Sequence, residues 1–360
     1  MFPPPARLKR RLNLKERLIR GLIFIAFFLP GVSGDQAFSA EEPGKKFYFE
    51  LPLGLEQDYM QIPEDNPLTP EKAELGKLLY FDPRLSKDGT VSCATCHHPA
   101  KGFTDQAPVS TGVGGQKGTR SAPAVINAAF MFSQFWDGRA RTLEDQAKGP
   151  IENPIEMGNT HEGAVNSVKA VKGYAPYFQA AFGSEEVTMD RIAKAIASFE
   201  RTVLSGNSAW DRHTQLKDAS ALSESAKRGL SLFEGKARCT QCHVGFTLSD
   251  SLFHNLGVGM AAKEPDSGRF KVTGQDKDRG AFKTPGLRDL IKTAPYMHDG
   301  SVATLEEVIE LYVRGGEANP WLDPKMRPLD LDTQEKRDLL EFLKSLEGDW
   351  QPMEPPTLPE

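Results

Sequence analysis

Two stretches of this 360-residue chain could do chemistry by spacing alone, Cys93-Ala94-Thr95-Cys96-His97 and Cys239-Thr240-Gln241-Cys242-His243. Each reads C-x-x-C-H, the attachment signature of a c-type haem. Two thiols three residues apart can each add to one vinyl group of a porphyrin, and the histidine that follows can offer its imidazole to the iron. C-x-x-C pairs also serve zinc sites and redox dithiols, but neither requires a histidine directly after the second cysteine. The two motifs use all four cysteines, so no thiol remains for a disulfide. The expected cofactors are two covalently bound c-type haems, with His97 and His243 as iron ligands.

The elements that must hold these motifs are helical. Thr69-Pro70-Glu71 supplies a capping hydroxyl, a first-turn proline and an acid at the positive helix end; Leu75, Leu78 and Leu79 form the apolar stripe, and Asp82-Pro83 stops it. Residues 99–123 are rich in Gly, Pro, Ser and Thr, without helical or strand period; a loop of that length in a haem protein is expected to cover the iron. The aromatic stretch from Phe130 to Trp136 breaks at Asp137-Gly138-Arg139. Thr188 caps a helix with Ile192, Ile196, Phe199 and Val203 at helical spacing, predicted to close at Gly206. Ser223 opens another, with Leu230 and Phe233 inward and Gly235 as its stop, so both haem motifs follow a helix and a glycine. Thr304 with Glu307 and Asp332 with Glu335 are capping boxes, one for a helix placing Leu305, Ile309 and Tyr312 on one face, the other for a helix bearing Leu339, Phe342, Leu343 and Leu346. No alternating run of useful length suggests a strand. The fold class is therefore mostly α: two cytochrome c-like helical domains, each with one attached haem, joined by long loops. The boundaries fall at 67–215 and 216–348, after a polar extension (41–66) and before a Pro-rich tail (349–360).

The chain opens with seven basic residues and Glu16 before Gly34, then the apolar run Leu22 to Leu29, then small residues. Basic, apolar, small is the order of a secretory signal, which residues 1–40 would contain with its leader. An uncleaved anchor is the alternative, although the run is short for a membrane span. Export to the periplasm fits covalent haem attachment. The total charge of −5 falls to −11 beyond Gly34; so acidic a chain argues against nucleic acid as a partner and suits a basic or dipolar protein.

Taken in order, both attachment motifs, Gln134-Phe135-Trp136-Asp137-Gly138-Arg139, Gln146-Ala147-Lys148-Gly149-Pro150, Glu156-Met157 and Pro295-Tyr296-Met297-His298-Asp299-Gly300 resemble the bacterial di-haem cytochrome c peroxidase and MauG family. The resemblance implies that peroxide reacts at the first haem and that the second handles electrons. It implies that Glu156 moves a proton between the two peroxide oxygens, a task favoured by a carboxyl pKa raised through partial burial. Gln146 and Pro150 match residues of the same pocket, and Trp136 matches an indole lying between the haems. It further implies a calcium ion held by the carbonyls of Thr293 and Pro295, with Ser121 standing where the family has asparagine.

Departures from the peroxidase pattern are equally informative. Val113, in Thr111-Gly112-Val113-Gly114-Gly115, replaces a histidine that caps the resting peroxidatic iron in many members, so the first haem should be bound by His97 alone. Tyr312 stands where typical peroxidases carry the methionine ligand of the second haem and where MauG carries a tyrosine; a phenolate would lower the potential. Met260 and Met297 are the competing ligands. Ala237 replaces a tryptophan through which MauG passes charge to its protein substrate. His98, His161, His213 and His254 read as ordinary polar residues. Three function classes follow: reduction of hydrogen peroxide with electrons from a small redox protein, cytochrome c or cupredoxin, which is the first choice; a MauG-like enzyme that spends peroxide's equivalents, shared in a bis-ferryl state, on a protein substrate; and a di-haem carrier or sensor without catalysis. A homodimer is compatible with all three.

Overall fold

Capping and apolar spacing build eleven helices in the computed structural model, which describes residues 50–350 and 353–360. The predicted signal and leader, and the start of the polar extension, lie outside the described residues. In chain order the helices are α1 (Pro70–Phe81), α2 (Cys93–Cys96), α3 (Leu143–Glu152), α4 (His161–Ala170), α5 (Ala175–Phe182), α6 (Met189–Glu200), α7 (Ala209–Gln215), α8 (Glu224–Glu234), α9 (Phe270–Thr273), α10 (Leu305–Val313) and α11 (Thr333–Lys344). Two short strands, β1 (Phe253–His254) and β2 (Phe282–Lys283), pair antiparallel. Thr69, Thr188, Ser223, Thr304 and Asp332 all accept backbone N–H bonds as helix caps.

Two helix crossings anchor the molecule. α1 packs on α6, burying Leu75, Leu79, Ile192, Ile196 and Phe199 in one core. α8 packs on α11 in a second core around Phe233, Leu339, Phe342 and Leu343. Each such side chain contributes about 1.5–3 kcal/mol on burial. Both crossings are close enough to need a glycine: a side chain at Gly76 would strike the Ala195 carbonyl, and one at Gly229 would strike that of Asp338.

Several helices differ from the sequence expectation. α6 ends at Glu200 rather than near Gly206, because Arg201 turns away to pair with Glu144 at 2.7 Å and to donate to the Gln61 carbonyl; Val203 stays buried beyond the helix end. α3, α4, α5 and α7 are additional to the expected helices; α3 buries Leu143, Ala147 and Ile151 on one face but contains Pro150, a residue that argues against a helix interior.

The structure also contains an internal repeat. Residues 121–150 match 283–312 without a gap. Asn127 and Asp289 share a left-handed conformation (φ 59° and 57°), as do Phe135 and Met297 (65° and 72°) and Gly138 and Gly300 (67° and 63°). Gln134 bridges to Ala140 as Tyr296 does to Val302, and Thr142 and Thr304 then cap α3 and α10. In this register Trp136 corresponds to His298, Pro150 to Tyr312, Ser121 to Lys283 and Ser133 to Pro295.

Candidate functional site

Both C-x-x-C-H motifs close a single turn. The histidine N–H donates to the carbonyl of the first cysteine, His97 to Cys93 and His243 to Cys239, each at 2.9 Å, and all four thiols are free. Around the second motif lies a cavity of about 330 Å³ whose wall includes Cys239, Cys242, His243 and Tyr312. His243 Nδ1 meets the Leu248 carbonyl at 2.8 Å. A carbonyl only accepts, so the proton sits on Nδ1, and burial keeps the ring neutral by lowering its pKa; the Nε2 lone pair is left for a metal. At the first motif His97 is likewise held neutral by burial, and its buried Nδ1 finds no hydrogen-bond partner among the described residues. Paired free thiols and neutral imidazoles fit c-type haem at both motifs, and at the second a cavity lies beside them.

Near the first motif the Glu156 carboxyl is partly buried, which raises its pKa despite the opposing effects of Arg139 and of Asn153, whose Nδ2 donates to it at 2.6 Å. Its charge is felt at Cys96. The Val113 N–H donates to the Glu156 carbonyl at 2.8 Å, and the Val113 side chain is buried in the first core. Gly112 makes this approach possible, since any side chain there would run into the carbonyls of Ile155 and Glu156. Gln146 and Pro150 lie one turn apart on α3, hence on one face.

The Phe135-Trp136 pair connects the two regions. Phe135 lies under α3 at Gly149 and beneath the Arg139 guanidinium, 3.4 Å from its ring centroid; it and Trp136 line the cavity at the second motif. Trp136 Nε1 donates to the Ser121 carbonyl at 2.9 Å, and the Trp136 carbonyl accepts from the Lys283 N–H at 2.7 Å. The repeat supplies the mirror bond, from the Ser121 N–H to the His298 carbonyl at 2.8 Å. Ser121, Thr293 and Pro295 line the same cavity wall.

The remaining candidates fall into place around this frame. Met297 lines the cavity; Met260 packs against Gly280 instead. Ala237 is 5% exposed and faces inward. His98 Nδ1 accepts from the Ala100 N–H, while His161 and His213 bond the carbonyls of Lys148 and Asp218. His254, read from sequence as one more polar residue, is in the cavity wall between Asp323 (2.6 Å) and Asp250 (3.0 Å). Lys283 and Met326, which sequence reasoning passed over, also line the cavity; the repeat was the signal that pointed to Lys283.

The description "Di-haem cytochrome c peroxidase" matches residues 70–219 as a family model. The methylamine utilization protein MauG of Methylorubrum extorquens is 45% identical over 298 residues, covering 82% of this chain and 84% of that one. This chain belongs to the di-haem cytochrome c peroxidase family. The cytochrome c551 peroxidase of Nitrosomonas europaea is 42% identical over 301 residues, 81% of this chain and 85% of its own. Among solved structures, a MauG-like protein associated with microbial copper homeostasis superposes with a TM-score of 0.78 at 37% identity, covering 84% of this chain and 96% of that one. Membership in the di-haem peroxidase family brings two c-type haems, an oxidoreductase activity towards peroxide, and a redox partner or protein substrate. No helix among the described residues is long and apolar enough to cross a membrane.

Proposed function

We propose that this chain is a periplasmic di-haem peroxidase in which residues 67–215 carry the peroxide-reacting haem and residues 216–348 the electron-transfer haem. The observation that carries this reading is the contrast at equivalent positions of α3 and α10, Pro150 against Tyr312. Proline has no group that can bind iron and tyrosine does, so Tyr312 would join His243 in holding the second haem, while α3 offers no such ligand to the first. When bound, the haems supply the redox chemistry, taking electrons and delivering them to the O–O bond.

The chain's own residues handle the protons in H₂O₂ + 2e⁻ + 2H⁺ → 2H₂O. Glu156 would take the proton from one peroxide oxygen and return it to the other, which leaves as water; the oxygen that remains would leave as the second water after receiving the two electrons of the redox partner and two protons from solvent. Burial raises its pKa toward working pH, where a carboxyl can serve as both base and acid. Asn153 holds one carboxyl oxygen, and Gln146 and Pro150 shape the pocket. Val113 would offer no ligand to the first haem. Trp136 bridges the two halves as the route for charge, and Thr293, Pro295 and Ser121 would hold a calcium ion beside that bridge. Electrons arrive from a cytochrome c or cupredoxin at the second haem, where Val244, next to His243, is 41% exposed.

The second reading, oxidation of a protein substrate in the manner of MauG, is favoured by Tyr312 and by the 45% identity to a MauG protein. Ala237 offers no aromatic exit at the position MauG uses. Spectroscopy and redox titration of the wild type beside Tyr312→Phe decide the second haem's ligand. Loss of the low-spin signal in the variant supports tyrosine ligation; a sulfur-to-iron band unchanged by the substitution would assign Met297 or another thioether and leave an ordinary peroxidase.

A further inference from the structure

Lys283 belongs to no step of the reaction, yet it lines the cavity and is partly buried there. Its ammonium donates to the Ser133 carbonyl at 2.5 Å and makes no ion pair among the described residues. Asp137, the acid whose charge it feels, is already paired with Arg120 at 2.7 Å and Arg139 at 3.1 Å. Burial pushes the Lys283 pKa down to about 8, so it remains largely a cation at neutral pH. A cation drawn out of water costs free energy unless hydrogen bonds compensate it, and the bond to the Ser133 carbonyl ties the side chain to the other half of the repeat.

The internal repeat shows what it organises. Lys283 corresponds to Ser121, and its acceptor Ser133 corresponds to Pro295. The two seams between the halves are built alike: the Lys283 N–H meets the Trp136 carbonyl, and the Ser121 N–H meets the His298 carbonyl. At one seam a long basic side chain reaches the carbonyl of Ser133. At the other the equivalent residue is Ser121, whose short side chain is neutral; it lines the same cavity as Thr293 and Pro295.

We propose that Lys283 is a built-in cation that does at one seam what a bound hard cation does at the other. An ammonium and a calcium ion differ in charge and in ligand number, but both are satisfied by carbonyl and hydroxyl oxygens. The equivalence explains why Ser121 is short, since the ion needs the volume that the lysine stem fills in the partner repeat. It also places one cation on each side of Trp136, through its carbonyl at Lys283 and its indole N–H at Ser121. The second half of this inference rests on the calcium reading given above.

The test compares thermal melting of the haem-loaded wild type with Ser121→Lys, Lys283→Met and Lys283→Arg, each with and without a calcium chelator, alongside bound calcium measured by atomic emission. Wild type is expected to hold one ion per chain and to melt lower in chelator. Ser121→Lys should hold none, ignore the chelator, and melt above the chelated wild type. Lys283→Met should melt below wild type in both conditions, with Lys283→Arg close to wild type. A wild type without calcium and indifferent to chelator would sink the calcium reading and the equivalence with it, while Lys283→Met melting below wild type would still assign Lys283 its role at its own seam. Ser121→Lys melting no higher than chelated wild type, or Lys283→Met matching wild type, would overturn the equivalence. Should Ser121→Lys fail to fold, the contrast between Lys283→Met and Lys283→Arg decides.

Discussion

Val113 donates its backbone N–H to the carbonyl of Glu156 across 2.8 Å. The residue that stands where many relatives place a removable iron ligand is therefore tied to the loop bearing the proposed proton carrier, and its side chain is committed to the first core. The as-isolated ferric protein should contain one high-spin, five-coordinate haem and one low-spin haem, and peroxide should react without prior reduction. Paramagnetic resonance showing low-spin signals alone would require another distal ligand.

Glu156→Gln keeps the shape of the side chain and removes its acid-base function. Formation of the first oxidised species, followed by stopped-flow absorbance, should slow by ~10²–10⁴-fold with both haems still attached. An unchanged rate would reduce Glu156 to an ordinary loop acid.

Gly112→Ala tests the loop contact itself. The added carbon meets the main chain of Ile155 and Glu156, which cannot rotate away as a side chain would. Overpacking of this kind typically costs about 1–3 kcal/mol, and the displaced Glu156 should slow the peroxide reaction in parallel. Full stability with full rate would show that the loop has room to spare.

Glu200 gives a pH signature. It is 4% exposed, and its Oε2 has no partner among the described residues. Burial raises its pKa from 4.5 to about 8, with Arg201 opposing and Glu144 reinforcing the shift. Between those values the folded protein holds a proton that the unfolded chain has released, so stability declines as pH rises across that window. Glu200→Gln should flatten the decline, which amounts to roughly a few kcal/mol. Urea midpoints measured from about pH 5 to pH 8 would show equal slopes in both proteins if Glu200 is not the source.

The helices that carry caps and an apolar stripe were legible in the sequence, as were the haem motifs, whose spacing is itself the chemistry. The resemblance supplied Glu156, Trp136 and Tyr312, since no local pattern distinguishes Glu156 from other loop acids. The repeat was harder to see. Trp136 against His298, Pro150 against Tyr312 and Ser121 against Lys283 are chemically unlike pairs, and what they share is backbone conformation, such as the left-handed φ of Phe135 and Met297. α3 was hidden for a related reason: the same proline that disfavours a helix interior occupies the position at which α10 presents Tyr312.

The paired seam bonds bear on how the chain can be divided. The carbonyl of Trp136 is satisfied by Lys283 and that of His298 by Ser121, so each half completes the main chain of the other. Separated at the proposed boundary near residue 216, either half would leave one of these turns without its backbone partner. The two haem regions are thus obligate companions, and a fragment expressed by itself would be expected to recover its native form only when its counterpart is supplied.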